Sequence, residues 1–234
     1  MTPRHVFATG GTGYLGRPLI AQLIERGHVV RALVRPGSGG KLPAGAEPVV
    51  GDALDPSTWA HAVAPAHTLV HLVGTPHPSP WKGREFQDVD LRSIRASVDA
   101  AVGAGIQHLV YVSVAQPAPV MRAYIAARSA GECAVRGSRV PATILRPWYV
   151  IGPGHWWPRL LLPAYAVFEQ FASTAEGAQR LGLVSHEQMI AALVAAVEQP
   201  TAGLRIVGVP EIRLMSPRSA VASEPARDTI GPVA

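Results

Sequence analysis

Residues 6–20 read VFATGGTGYLGRPLI, a Val/Phe-rich run, a glycine-rich turn and then an apolar repeat that begins at Leu15 and continues through Leu19 and Leu23. The run suits a buried strand, and the four-residue repeat suits a helix with one apolar stripe. Gly10, Gly13 and Gly16 stand at GxxGxxG spacing between them. At such a turn the first glycine permits the sharp bend, the second lets the backbone approach a pyrophosphate, and the third allows close helix packing. Free amides around Thr12, Tyr14 and Leu15, with the helix dipole behind them, would face the anion. The loop therefore predicts dinucleotide binding by Gly10, Thr12, Gly13, Tyr14, Leu15 and Gly16.

Outward from the loop, β-rich runs alternate with helical stretches, the pattern of a parallel sheet covered on both sides. Strands are expected at 5–9, 29–34, 47–50, 68–73, 109–113, 143–146 and 204–209. Helices are expected from Leu15 to Gly27 and at 57–63, 86–102, 123–136 and 187–198. The long one carries Val89, Ile94, Val98 and Val102 as its apolar positions. The fold class is α/β, a Rossmann-type doubly wound parallel sheet with helices on both faces and a small C-terminal substrate lobe. Residues 1–215 form one domain, with 147–183 contributing to the lobe, and 216–234 read as a disordered tail of Ser, Pro, Ala and single charges.

Composition agrees with a folded, water-exposed domain: of 234 residues, 48% are hydrophobic and 16% charged. The formal charge is +5, but the arginines and the two lysines, Lys41 and Lys82, are scattered, so nucleic acid is not expected as a partner. The single cysteine, Cys133, permits no intrachain disulfide, and no secretion signal precedes the first strand. A cytoplasmic protein without a membrane span is expected, since the longest apolar runs reach about half of the roughly 20 residues a spanning helix needs. HExxH, paired cysteines, GxSxG and a Walker ending are missing, so no metal site, α/β-hydrolase or nucleoside triphosphatase is expected.

The end of the second strand reads RALVRPGSGGK, residues 31–41. An acidic residue there would accept from a ribose 2′-hydroxyl, whereas arginine receives a 2′-phosphate. Arg35 occupies the position, with Ser38 and Lys41 close behind, and its planar fork of donors suits a phosphate. NADP(H) is the expected cofactor, NAD(H) the alternative.

Further stretches follow in a fixed order: Gly51-Asp52 with Asp55, VHLVG at 70–74, LVYVS at 109–113, Tyr124 with Glu132, and TILRPWYVIGPG at 143–154. Together with TGGTGYLG they resemble the short-chain dehydrogenase/reductase superfamily, in particular its extended and atypical, NmrA-like or NAD(P)H-binding members. The resemblance covers about residues 5–155 well and the 183–197 helix more loosely. It implies that Asp52 and Ala53 meet the adenine, and that Leu72, Val73, Gly74 and Pro147 line the cofactor. It further implies a tyrosine acid/base, Tyr124, and a serine that orients the substrate carbonyl, Ser113. The family lysine four residues after the tyrosine is here Arg128. One helical turn apart, Tyr124 and Arg128 share a helix face. Arginine can stabilise a phenolate and donate to ribose hydroxyls, but it stays protonated and cannot relay a proton.

The resemblance thus implies an NADP(H)-dependent oxidoreductase acting on a small carbonyl or hydroxyl substrate. It leaves two alternatives: a non-catalytic NAD(P)(H)-binding sensor or structural subunit, like NmrA-type regulators or the respiratory complex I accessory protein, and a sugar-nucleotide epimerase or dehydratase. Trp148, His155, Trp156 and Trp157 emerge where ligands of such sheets bind and could wall an apolar or aromatic substrate pocket. The 74–81 stretch could cover the cofactor from the same edge. A monomer or homodimer is expected.

Overall fold

The computed structural model describes residues 2–76, 78–118, 121–152 and 181–215. Its elements run β1 (His5–Thr9), α1 (Gly16–Glu25), β2 (Val29–Val34), β3 (Glu47–Val50) and β4 (Thr68–His71). A helical turn α2 (Gly83–Glu85) then passes through a π-helical stretch (Phe86–Leu91) into α3 (Arg92–Gly103). β5 (His108–Val112), α4 (Arg122–Gly137), β6 (Ala142–Arg146), β7 (Tyr149–Ile151), β8 (Leu183–Ser185), α5 (His186–Glu198), β9 (Leu204–Gly208) and α6 (Val209–Arg213) follow.

Seven strands make one parallel sheet in the order β3-β2-β1-β4-β5-β6-β9, the doubly wound arrangement expected. Both faces are covered, which is why the strands read as continuous Val/Leu/Ile runs without alternation. One face packs α1 and α5 through Leu19, Ile20, Leu23, Met189, Leu193 and Val197. The other packs α3 and α4 against Phe7, Leu69, Leu109 and Tyr111. Each such fully buried side chain contributes about 1.5–3 kcal/mol relative to exposure. The order of strands reverses between β1 and β4, the place where an open sheet of this kind leaves a crevice at its carboxyl edge.

Three local expectations are corrected. The helix expected at 57–63 is instead two 3-10 turns, Pro56–Thr58 and Ala60–Ala62. Trp59 separates them with φ −148°, because its ring is stacked on Phe7 at 5.6 Å in the core and its indole N–H donates to the Asp52 carbonyl at 2.9 Å. The long helix expected from Phe86 does not carry its apolar stripe through Val102, which is 52% exposed. The wider π turns at Phe86–Leu91 rotate the face, so that Phe86, Asp90 and Leu91 point inward. The pair β7·β8, a separate two-stranded parallel sheet, and α6 had no counterpart among the expected elements.

The expected tail at 216–234, His155, Trp156, Trp157 and most of the expected lobe lie outside the described residues. No helix among the described residues is long and apolar enough to cross a membrane.

Candidate active site

A cavity of about 500 Å³ opens at the carboxyl edge between β1 and β4. Gly10, Gly13, Tyr14, Leu15, Gly16, Leu72, Gly74, Ser113, Tyr124, Arg128 and Pro147 all line it. Residues from five separate stretches of chain, chosen from sequence alone, are therefore brought together. Thr75, Pro76, Pro78, Val112, Val114, Trp148, Tyr149 and Val150 line it as well. Thr12, Val73, Arg35, Asp52 and Ala53 do not line it.

The glycine loop is tight for reasons visible atom by atom. Gly10 has φ +76°, and a Cβ there would lie 2.8 Å from the Leu72 carbonyl carbon. A Cβ on Gly16 would lie 2.3 Å from the Gly10 carbonyl oxygen and 2.7 Å from Gly11 Cα. At Gly13 the only near atom among the described residues is the Gly10 oxygen at 3.2 Å, and Gly13 lines the cavity. The Gly13 N–H donates to that same oxygen at 3.0 Å and closes the turn. α1 begins here with no side-chain cap and no acidic residue in its first turn, leaving the positive end of its dipole unopposed. Tyr14 leans away from the loop onto α5: its ring lies 4.5 Å from the His186 ring, and its carbonyl accepts from His186 Nε2 at 3.1 Å.

On the opposite wall, α4 delivers Tyr124 and Arg128. The Arg128 guanidinium carbon stands 5.2 Å from the Tyr124 ring centre and 5.9 Å from that of Tyr111, a cation between two aromatic faces. Its Nη1 donates to the Val112 carbonyl at 2.8 Å, and Nη2 lies 2.6 Å from Asp90 Oδ1. That last contact is an ion pair by distance but lacks hydrogen-bond geometry; Asp90 Oδ1, Arg128 Nε and the Tyr111 hydroxyl have no hydrogen-bond partner among the described residues. The other Asp90 oxygen accepts from the Thr75 N–H at 3.0 Å and the Thr75 hydroxyl at 2.5 Å. Burial opposes the Arg128 charge, but Tyr124, Tyr111 and Asp90 outweigh it and hold its proton more firmly than in an ordinary guanidinium. Burial pushes the Tyr111 hydroxyl up to about 12 despite the nearby Arg128. Phe86, 5.0 Å from Tyr124 between ring centres, backs that ring from the π-helical stretch.

Ser113 ends up engaged. Its hydroxyl donates to Glu132 Oε1 at 2.7 Å, and Gln116 Nε2 and Arg146 Nε reach the same oxygen at 2.9 and 2.8 Å. Arg146 Nη2 and Arg136 Nη2 hold the other oxygen at 2.5 and 3.3 Å. Burial would raise the Glu132 carboxyl, but hydrogen bonds from Arg146 and Ser113 outweigh it and keep it below the ordinary range. The serine proton is thus pointed at a carboxylate, and what Ser113 offers the cavity is its lone pairs.

At the far end, Arg35 is exposed just after β2 and no ion pair holds it among the described residues. Asp52 and Asp55 build a turn: the Leu54 N–H donates to Asp52 Oδ1 at 2.9 Å, and the Ser57 N–H to Asp55 Oδ1 at 3.1 Å. Sequence reasoning missed Asp90 and Thr75, which anchor Arg128 and the exit from β4. A lone aspartate between Val89 and Leu91 in an apolar helix face was the available signal. It also missed His71, fully buried with Nδ1 at 3.0 Å from Thr9 Oγ1 and 2.9 Å from Ser97 Oγ. Burial and then the Arg128 charge push that imidazole down to about 3. Among the described residues no cluster of metal-ligating side chains occurs.

Residues 10–152, more than half of the chain, match the family described as NAD(P)H-binding, and the chain belongs to it. It is 31% identical over 201 residues to the ceramide reductase of Caulobacter vibrioides, a match covering 85% of this chain and 62% of that protein. The chain thus spans less than two thirds of that relative's length. Among solved structures, the Bordetella bronchiseptica enzyme WbmH in complex with NAD+ superimposes with TM-score 0.66 at 19% identity, over 90% of this chain and 79% of that one. A short-chain dehydrogenase/reductase superfamily protein from Agrobacterium tumefaciens with bound NAD gives 0.63 at 21%, over 87% and 77%. At these identities the likenesses show a shared fold.

Proposed function

We propose that the chain is an NADP(H)-dependent oxidoreductase acting between a carbonyl and a hydroxyl on a small substrate. One observation carries the proposal: the glycine loop and the Tyr124–Arg128 pair line the same cavity. The residues fit a dinucleotide, since the α1 N-terminus is uncapped and Gly13 leaves open space where a side chain would stand. The loop would hold the diphosphate, Asp52 and Ala53 the adenine end, and Arg35 the 2′-phosphate. Arg35 supports NADP(H) because it is exposed at the strand end and the 31–41 stretch carries no Asp or Glu to reject a phosphate. When bound, the nicotinamide supplies or accepts hydride.

The chain's own part is proton handling and placement. Tyr124 gives or takes the proton at the substrate oxygen. Arg128, anchored through Nη1 on the Val112 carbonyl and by charge on Asp90, serves by its charge over the Tyr124 ring. Ser113 steers the substrate by accepting from its hydroxyl form. The relative named a ceramide reductase is compatible with this direction of chemistry.

A second reading, a non-catalytic dinucleotide binder, is favoured by the same inward commitment of Arg128, whose Nη1 donates to Val112 and whose Nη2 pairs with Asp90. Purified protein with NADPH and a broad carbonyl panel separates the two. Turnover that disappears in Tyr124→Phe while NADPH affinity is kept establishes the enzyme. Binding without turnover of any panel member establishes the binder.

A further inference from the structure

We propose that His186, from the start of α5, is a positioning residue for the diphosphate loop, acting through the Tyr14–Leu15 peptide; this rests on the dinucleotide reading above. The His186 Nε2 sits 3.1 Å from the Tyr14 carbonyl oxygen, and because that oxygen can only accept, the imidazole donates. The peptide linking Tyr14 to Leu15 is not among the cis bonds, so it is planar and trans, with its C=O and N–H antiparallel. Fixing the carbonyl on the α5 side therefore directs the Leu15 N–H to the other side, where Leu15 lines the cavity beside Gly13 and Gly16. A hydrogen bond accepted by the carbonyl also polarises the amide of the same peptide and strengthens it as a donor.

The side chain of Tyr14 is held in register for this. Its ring lies 4.5 Å from the His186 ring, tilted by 59°. Its hydroxyl reaches Gly152 at the end of β7, where a Cβ would come within 2.1 Å of it. A larger residue at 152 would push Tyr14 off His186. Two elements distant in sequence, the β7 exit and the α5 start, thus fix the orientation of one peptide in the loop. The Tyr14 hydroxyl is raised by burial first and then by Tyr149, so it stays neutral and the ring contact is not disturbed by charge.

The test uses His186→Phe, which keeps an aromatic ring against Tyr14 and removes only the donor, and His186→Gln, which restores a donor. NADPH affinity is expected to fall about three- to tenfold in His186→Phe and to recover in His186→Gln, the net worth of a hydrogen bond. Adenosine 2′-phosphate, which has no diphosphate, is expected to bind both variants as it binds the wild type. In the unliganded protein the Leu15 amide signal should shift in His186→Phe and return in His186→Gln. Unchanged NADPH affinity and an unmoved Leu15 signal in His186→Phe overturn the inference alone. Wild-type protein that binds neither NADPH nor NADH overturns the dinucleotide reading and this inference with it. If His186→Phe fails to fold, an unaltered NADPH affinity in His186→Ala decides against the proposal, and a loss confined to NADPH decides for it.

Discussion

Asp90 and Arg128 meet at 2.6 Å with side-chain exposures of 0% and 8%, so a buried cation of the site is held by a carboxylate that does not itself line the cavity. The carboxylate comes from the π-helical stretch and the guanidinium from α4, so the pair also staples two elements together. Desolvating both charges is costly, and their mutual attraction offsets that cost only while both are present.

Removing one partner is therefore worse than removing both. Arg128→Met and Asp90→Asn should each lower unfolding free energy by about 3–5 kcal/mol, and the double variant should be more stable than either single one. Urea unfolding of the three proteins measures this. Additive losses would mean that the two charges do not depend on each other.

Gly16 and Gly13 should give two different phenotypes. Gly16→Ala drives a methyl into the Gly10 and Gly11 backbone, so both stability, by about 1–3 kcal/mol, and cofactor binding should suffer. Gly13→Ala meets only the Gly10 oxygen, at 3.2 Å, and its methyl enters the cavity. It should fold nearly as the wild type yet lose NADPH binding. Thermal melts with and without NADPH check both.

Arg35→Ala tests cofactor choice. Loss of hydrogen bonds from a guanidinium to a phosphate is worth about 1.5–3 kcal/mol, so NADPH affinity should drop by roughly tenfold or more, and NADH affinity should hardly change. Equal losses for the two cofactors would refute the 2′-phosphate assignment.

Acid should weaken the fold through buried histidines before it reaches the carboxylates. His71 is pushed down to about 3 by burial and then by Arg128, and His108 to about 4 by burial and then by Arg4, so both are neutral in the folded chain near neutral pH. The unfolded chain takes up those protons below about 6.5. The sign follows: their contribution is whole above that pH and is lost as pH falls towards 3. His71 alone should remove about 2 kcal/mol by about pH 5. Denaturant unfolding across this range should show stability falling with acid, with a shallower fall in His71→Gln. An equal slope in that variant would remove His71 from the account.

The sheet and the glycine loop were legible because both are written in local patterns, apolar strand runs and glycines at a fixed spacing. Tyr124, Ser113 and Gly74 line one cavity because they come from the start of α4 and from just past the ends of β5 and β4, where the fold leaves little freedom, and Arg128 follows one turn after Tyr124. What escaped was non-local. Asp90 turns inward from a π-helical stretch whose wider turns a period of 3.6 does not follow, whereas Ile94 and Val98 beyond it are buried as that period predicts. Trp59 interrupts an expected helix because the core of another element, around Phe7, claims its ring. Ser113 looked like a donor to substrate until the fold brought Glu132 within 2.7 Å of it.

β7 and β8 pair in parallel, Tyr149 with Leu183 and Ile151 with Ser185, so the chain leaves the rim of the cavity and rejoins it one strand spacing away. The β7·β8 pair itself lies outside the seven-stranded sheet. Closing a longer span costs little, roughly 0.6 kcal/mol for each doubling of length. The seven-stranded sheet and the glycine loop thus owe none of their pairing to the length of chain between β7 and β8.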